Sequence, residues 1–159
     1  MWYIPWAMTE ADVRFMQAAL AEARRAEAEG EVPVGAVVVK GEEIVARGSN
    51  RIIGRGDPTA HAEMLAMREA SQTLGNYRLT GCTLYATMEP CAMCAGAAVL
   101  ARIDRLVYGC HDPKGGAVRT LFRIADDIRL NHRMEIEWGV LAEECAACVQ
   151  EFFAKKRGA

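Results

Sequence analysis

The residue pattern predicts an α/β fold, a three-layer α/β/α arrangement with helices on both faces of a central five-stranded mixed sheet. Two observations carry that reading. The apolar period switches between helical and strand spacing in the order α-β-β-α-β-α-β-(α)-β-α, and turn residues separate the segments. Composition is the third support: 52% hydrophobic and 25% charged residues over 159 positions suit one domain, residues 1–159, with a full core.

Thr9 followed by Asp12 resembles a capping box. Val13, Met16, Leu20 and Ala23 then recur at helical spacing, and Gly30 is a natural stop for a first helix. Val34 to Lys40 and Ile44 to Ser49 form a hairpin about Gly41-Glu42, and residues 50–59 form a loop. Thr59 is expected to cap a second helix, carrying His61, Glu63, Leu65 and Met67 and ending before Gly75. Thr83 to Thr87 reads as a buried strand, and Pro90, in a first-turn position, opens a helix through Leu100. Leu106 to Gly109 is a strand, residues 110–120 a loop, and 121–126 a short helix. Met134 to Trp138 alternates like an edge strand, and Leu141 to Lys156 closes the chain as a helix. Residues 1–8 form an extra N-terminal segment whose Trp2, Tyr3 and Trp6 are expected to cover an apolar patch.

No apolar run approaches the roughly 20 residues that span a bilayer, so no membrane association is expected. The opening residues lack a basic start followed by a long apolar stretch, so they do not read as a secretory signal. The six cysteines are therefore expected as reduced thiols in a cytoplasmic protein. A net charge of −2 argues against coating nucleic acid by bulk attraction. The charge is uneven, however. Residues 102–133 hold seven bases against four acids, and Lys155-Lys156-Arg157 adds a basic end, so a local phosphate-binding surface remains open.

The chemistry concentrates in His61-Ala62-Glu63 and Pro90-Cys91-Ala92-Met93-Cys94. One imidazole and two thiolates supply three corners of a tetrahedral zinc site, and catalytic zinc keeps its fourth position for water. His61 and Glu63 are two apart, about 200° around a helix axis, so they can serve one site only from a first turn. Cys91 and Cys94 are three apart at a helix start, where free N–H groups favour thiolates. Two thiolates neutralise the metal's charge and weaken it as a Lewis acid. Glu63 is then needed as a proton shuttle from water to a ring nitrogen and a leaving amine. This joint pattern is the signature of zinc nucleobase deaminases.

A resemblance extends over nearly the whole chain from Thr9. Pro33-Val34-Gly35-Ala36-Val37, Asn50-Arg51, Asp57-Pro58-Thr59-Ala60-His61-Ala62-Glu63, Asn76-Tyr77-Arg78-Leu79 and Glu89-Pro90-Cys91-Ala92-Met93-Cys94-Ala95-Gly96-Ala97 resemble the bacterial tRNA-specific adenosine deaminases. So do Asp112-Pro113-Lys114-Gly115-Gly116, Asn131-His132 and Phe152-Phe153. The resemblance implies a cytidine-deaminase-like fold, a homodimer with one zinc per subunit, and hydrolysis of adenosine to inosine at the wobble position of a tRNA, typically an arginine tRNA. It implies that His61, Cys91 and Cys94 bind zinc and that Glu63 is catalytic. Asn50, the Ala62 main chain and Val34 would hold the base. Asp112 and Lys114 would contact the anticodon stem-loop, with Phe152, Phe153 and Lys156 on flanking nucleotides. His111 stands where many members carry arginine, and Met88 where leucine is commoner.

Read without the resemblance, Asn50 is an ordinary turn residue and Asp112 an ordinary loop residue. Cys145 and Cys148 repeat the C-x-x-C spacing mid-helix with no nearby histidine, which suits core or surface cysteines. His132 suits a satisfied structural histidine, and either ring of Phe152-Phe153 could pack on the core. Two rival functions share parts of the pattern: a deaminase of free bases or nucleosides, of guanine or cytosine type, and a non-catalytic zinc module that binds RNA.

Overall fold

Alternation along the strands divides the core in two. In the computed structural model, which describes residues 9–158, Ala36, Val38, Leu84, Ala86, Leu106 and Tyr108 point to one face of the sheet, while Val37, Val39, Tyr85 and Val107 point to the other. The strands are β1 (Gly35–Lys40), β2 (Glu43–Ser49), β3 (Cys82–Met88), β4 (Arg105–Cys110) and β5 (Glu135–Trp138), in the order β2-β1-β3-β4-β5. β1 is antiparallel to β2 and β3, whereas β3, β4 and β5 are parallel. Helices α3 (Ala62–Leu74) and α4 (Ala92–Leu100) pack on the first face, and α1 (Glu10–Ala28) and α5 (Ala142–Arg157) on the second. The three-layer fold and five-stranded mixed sheet are as expected from sequence.

This topology gathers chain ends. Because β1 runs against β3, the residue before β1 (Val34), those after β2 (Asn50) and β3 (Glu89), and Asp112, two beyond the end of β4, lie at one end of the sheet. That end collects the carboxyl termini of the parallel strands, where α/β sheets place ligands. Close approach of α3 depends on Gly48 of β2: a Cβ there would stand 2.1 Å from the Ala62 carbonyl oxygen and 2.8 Å from the Ala66 nitrogen. Gly35 serves α1 in the same way, with the Ala19 carbonyl oxygen 2.0 Å from a Cβ position.

Three local expectations are corrected. Thr59 does not cap α3; its N–H and hydroxyl both donate to Asp57 Oδ1, at 2.8 and 2.7 Å, and His61 is the N-cap. Likewise Pro90 precedes α4 rather than opening it, and Cys91 is the N-cap. Residues 121–126 form turns and bends instead of a helix, because the Leu121 and Phe122 amides both turn back to the Gly116 carbonyl. Inside the expected loop 50–59 a single helical turn, α2 (Ile52–Arg55), is held by a distant carboxylate. Buried Glu31 accepts from the Ile53 and Gly54 amides at 3.0 and 2.7 Å. The expectation for Trp2, Tyr3 and Trp6 lies outside the described residues.

Buried Asp12 ties α1 to the sheet. It accepts from Tyr85 at 2.7 Å and from Arg105 Nη1 and Nη2 at 2.8 and 3.0 Å. Burial alone would raise its pKa, but the Arg105 and Tyr85 bonds prevail and hold the carboxyl below its ordinary 3.8. A depressed folded-state value means stability that is present above the unfolded value and lost as pH falls through the folded one. Asp12→Asn should therefore cost about 3 kcal/mol near neutrality, by stranding a half-buried guanidinium. The gap to the parent chain should close below about pH 4 in urea titrations. A gap that widened in acid would refute this account.

Candidate active site

Two helix starts meet at the sheet's ligand end. His61 caps α3 and Cys91 caps α4, both with extended backbone (ψ of 150° and 177°), and neither side chain spends itself on a capping hydrogen bond. Both are free to turn toward one point. His61 Nδ1 lies 3.6 Å from Cys91 Sγ and 3.6 Å from Cys94 Sγ, and the three ligand atoms all fall within 4.8 Å of one another. Zinc bonds of about 2.05 Å to nitrogen and 2.3 Å to sulfur, opened to a tetrahedral angle, separate those atoms by about 3.6 Å. The donor set and its spacing thus fit zinc without rearrangement.

Protonation agrees with that fit. Cys91 is pulled down to about 3, first by the hydrogen bond from the Cys94 thiol and, against burial, by His61. Cys94 is pushed up by its bond to Cys91 and by burial, and His61 is raised chiefly by its bond to Cys91. Cys91 is the thiolate of the trio, and the negative charge already sits where a cation would bind. Zinc bound at Nδ1 would leave the imidazole proton on Nε2.

Glu63, in the first turn of α3, is 3% exposed, and its Oε1 has no hydrogen-bond partner among the described residues. Burial raises its pKa above the ordinary carboxylate value. Asn50 is in the same position. Its amide nitrogen donates to the Val32 carbonyl at 3.2 Å, which leaves Oδ1 buried and unpartnered. Both residues line a cavity of about 180 Å³ whose wall also includes Val34, Ala62, His61, Cys91 and Asp112. Sites for drug-sized ligands run to about 300–1,000 Å³, so this one suits a single ring system. Two orphaned acceptors beside the ligand trio mark a space that awaits donors from a substrate.

Lys114, Phe152, Phe153 and Lys156 are not in this wall. Lys114 is exposed on the loop that Asp112 begins, its amide donating to Asp112 Oδ1 at 3.0 Å. Phe152 is buried, Phe153 is exposed edge-to-face against it, and Lys156 Nζ sits 5.1 Å from the Phe152 ring. Cys145 is core, with burial pushing its thiol up to about 12, and His132 meets the Ile103 carbonyl at 2.7 Å. Among the described residues, His61, Cys91 and Cys94 are the one trio placed to hold a metal.

Sequence reasoning passed over Glu89. This buried carboxylate follows β3 and lines the cavity. It accepts from the amides of Asp112, Val118, Arg119 and Thr120 at 3.2, 3.0, 2.8 and 3.0 Å, and from the Thr120 hydroxyl. Burial opposes its ionisation, yet these donors, the Arg119 and Thr120 groups foremost, bring its pKa down to about 2. Gly116 is glycine for the same reason, since a Cβ there would come 2.4 Å from the Glu89 carboxyl. His111, an exposed residue, borders this hub, with Nδ1 3.1 Å from the Tyr108 hydroxyl and 3.5 Å from Glu89 Oε1. The signal available in sequence was the acid beside Pro90, but its five partners lie 23 to 31 residues away.

The fold, ligand trio, buried carboxylate and ring-sized cavity define a zinc-dependent deaminase of the cytidine-deaminase class. Residues 9–110 match the cytidine and deoxycytidylate deaminase zinc-binding region. The chain is 49% identical to the tRNA-specific adenosine deaminase of Haemophilus influenzae, over 94% of this chain and 87% of that protein. It is 48% identical to that of Bacillus subtilis, over 92% and 91%. A solved structure from studies of A-to-I editing by tRNA:A34 deaminases superposes with a TM-score of 0.82 at 45% identity, covering 85% of this chain and 98% of that one. A guanine deaminase structure from Bacillus subtilis gives 0.59 at 28% identity, covering 92% and 94%. The chain belongs to the tRNA-specific adenosine deaminase family.

Zinc binding has a direct check. Cys91→Ser should lower bound zinc, measured by atomic absorption, from about one per chain to near zero, since loss of one thiolate leaves two protein ligands. Retention of the full metal content would exclude Cys91 as a ligand.

Proposed function

We propose that this chain hydrolyses adenosine to inosine at the wobble position of a tRNA, releasing ammonia. One observation carries the reading: Asn50 and Glu63, each with a buried acceptor oxygen that has no partner among the described residues, line a ring-sized cavity beside the zinc ligands. A purine extruded from an anticodon loop offers donors to such acceptors and fills such a space.

Bound zinc supplies a Lewis acid that makes water nucleophilic near neutral pH. Asn50 and the Ala62 main chain orient the base, with Val34 against its ring. Glu63 takes one proton from the attacking water and passes it to the ring nitrogen, then takes the second from the hydroxyl now on the ring carbon and passes it to the departing amine. A C–O bond forms at the amino-bearing ring carbon and the C–N bond breaks, so water and adenosine become inosine and ammonia. A raised carboxyl pKa suits a group that must both accept and give a proton. Asp112 and Lys114 contact the anticodon loop, and exposed Phe153 with Lys156 holds flanking nucleotides by stacking and charge. Buried Phe152 supports that surface from beneath.

The substrate is in keeping with an arginine tRNA, the setting with the cytoplasm, and the assembly with a homodimer. Support for the dimer comes from large apolar side chains in solvent, with Leu100, Leu121, Phe122 and Ile128 each more than half exposed. Among the described residues no helix is long and apolar enough to cross a membrane. The test is to incubate the protein with an arginine tRNA transcript, with adenosine and with guanine. Inosine at the first anticodon position alone is expected. Deamination of a free base with the tRNA untouched would replace this reading with the rival.

A further inference from the structure

A second concavity, of about 640 Å³, runs along the outer edge of β2 between α1 and α3 and reaches α2. Arg25, Arg47, Arg51, Arg55 and Arg68 line it, from α1, β2, the β2–α2 junction, α2 and α3. Its two acids are already engaged. Glu22 accepts from the Ser49 hydroxyl at 2.5 Å, and Glu69 accepts from the Arg47 backbone amide at 2.9 Å. Arg25 lies 3.9 Å from Glu22, and Arg51 lies 3.7 Å from Glu29. Among the described residues Arg47, Arg55 and Arg68 have no carboxylate within 4.0 Å. Five guanidinium groups against the two carboxylates of Glu22 and Glu69 leave the wall of this hollow with a surplus of three positive charges, which attracts an anion. Each presents a planar fork that matches phosphate oxygens.

The walls of this groove indicate the kind of anion. Among the described residues they include no aromatic side chain for a base to stack on, and the cationic groups are spread along a trough. Such a surface reads phosphates and leaves bases alone, as contacts to a paired stem do. The trough starts at Arg51, the residue after Asn50, so it adjoins the base pocket.

We propose that this arginine groove binds backbone phosphates of the tRNA stem, outside the loop that enters the active site. The inference rests on the tRNA reading above. Nitrocellulose-filter binding tests it with two probes, a full-length tRNA and a single-stranded heptanucleotide of the anticodon-loop sequence. In the triple variant Arg25→Ala/Arg47→Ala/Arg68→Ala, tRNA affinity should fall about 10- to 100-fold at physiological salt. The slope of log affinity against log salt should become shallower by about 2–3. Heptanucleotide affinity and zinc content should stay at the parent values, which also checks that the variant is folded. Lysine at the same three positions should restore most of the tRNA binding.

Unchanged tRNA affinity and salt slope would overturn the groove, as would equal losses on both probes. Adenosine triphosphate raising the melting temperature of the parent but not of the variant, with tRNA binding unaltered, would reassign the groove to free nucleotides. A parent protein that bound neither RNA would instead fail the tRNA reading itself, a result distinct from a groove failure.

Discussion

Glu63→Gln should cut inosine formation by about 10²–10⁴-fold, with one zinc per chain retained and no loss of thermal stability. The rate loss follows from the role: an amide cannot take a proton from water and hand it to the ring and the leaving amine. The stability expectation follows from burial. In the folded chain Glu63 is closed off from solvent with Oε1 unpaired, an arrangement that costs free energy and is kept because the reaction needs it. A neutral amide of the same shape relieves part of that cost, so the melting temperature should hold or rise by a few degrees. Zinc should be retained because the ligand trio does not include Glu63. A variant with near-parental turnover would remove Glu63 from the chemistry, and one that lost its zinc would recast it as a metal-site residue.

Glu89→Leu is expected to have the second largest effect, and of another kind. It strands four backbone amides and one hydroxyl that now converge on one carboxylate. Each donor left unsatisfied in a buried setting costs about 1–3 kcal/mol, and those on the partly solvated loop recover some of this from water. A net loss of about 3–5 kcal/mol of unfolding free energy in urea is expected. The loop from Asp112 to Thr120 then loses its anchor, and with it the positions of Asp112 and Lys114. KM for tRNA should accordingly rise at least tenfold, while kcat at saturation falls less. Glu89→Gln, which keeps an acceptor oxygen, should recover part of both effects. If stability dropped while KM and kcat kept their parental values, Glu89 would support the core without positioning that loop for the substrate.

The two carboxylates differ in what surrounds them. Glu63 is ringed by metal ligands and has an unused oxygen, whereas the oxygens of Glu89 are taken up by five donors and its charge is spent on architecture. Burial acts on both, and their pKa values nonetheless move in opposite directions.

The sequence by itself determined the order of the five strands and the four longer helices and the trio placed to hold zinc, because these are local. Apolar period marks each element, and H-x-E and C-x-x-C place ligands within a single helical turn. Helix starts were harder to read. Thr59 is a good capping residue by type, yet Asp57 captures it, and His61 and Cys91 take the cap positions with side chains turned to each other. The tertiary structure alone decided the rest. It set the antiparallel β1 between β2 and β3 that brings Val34, Asn50, Glu89 and Asp112 to one end. It also bonded Glu89 to a loop some thirty residues on, and it drew five arginines from separate elements into one groove. Such partners are joined by packing across the sheet, and spacing along the chain carries no trace of them.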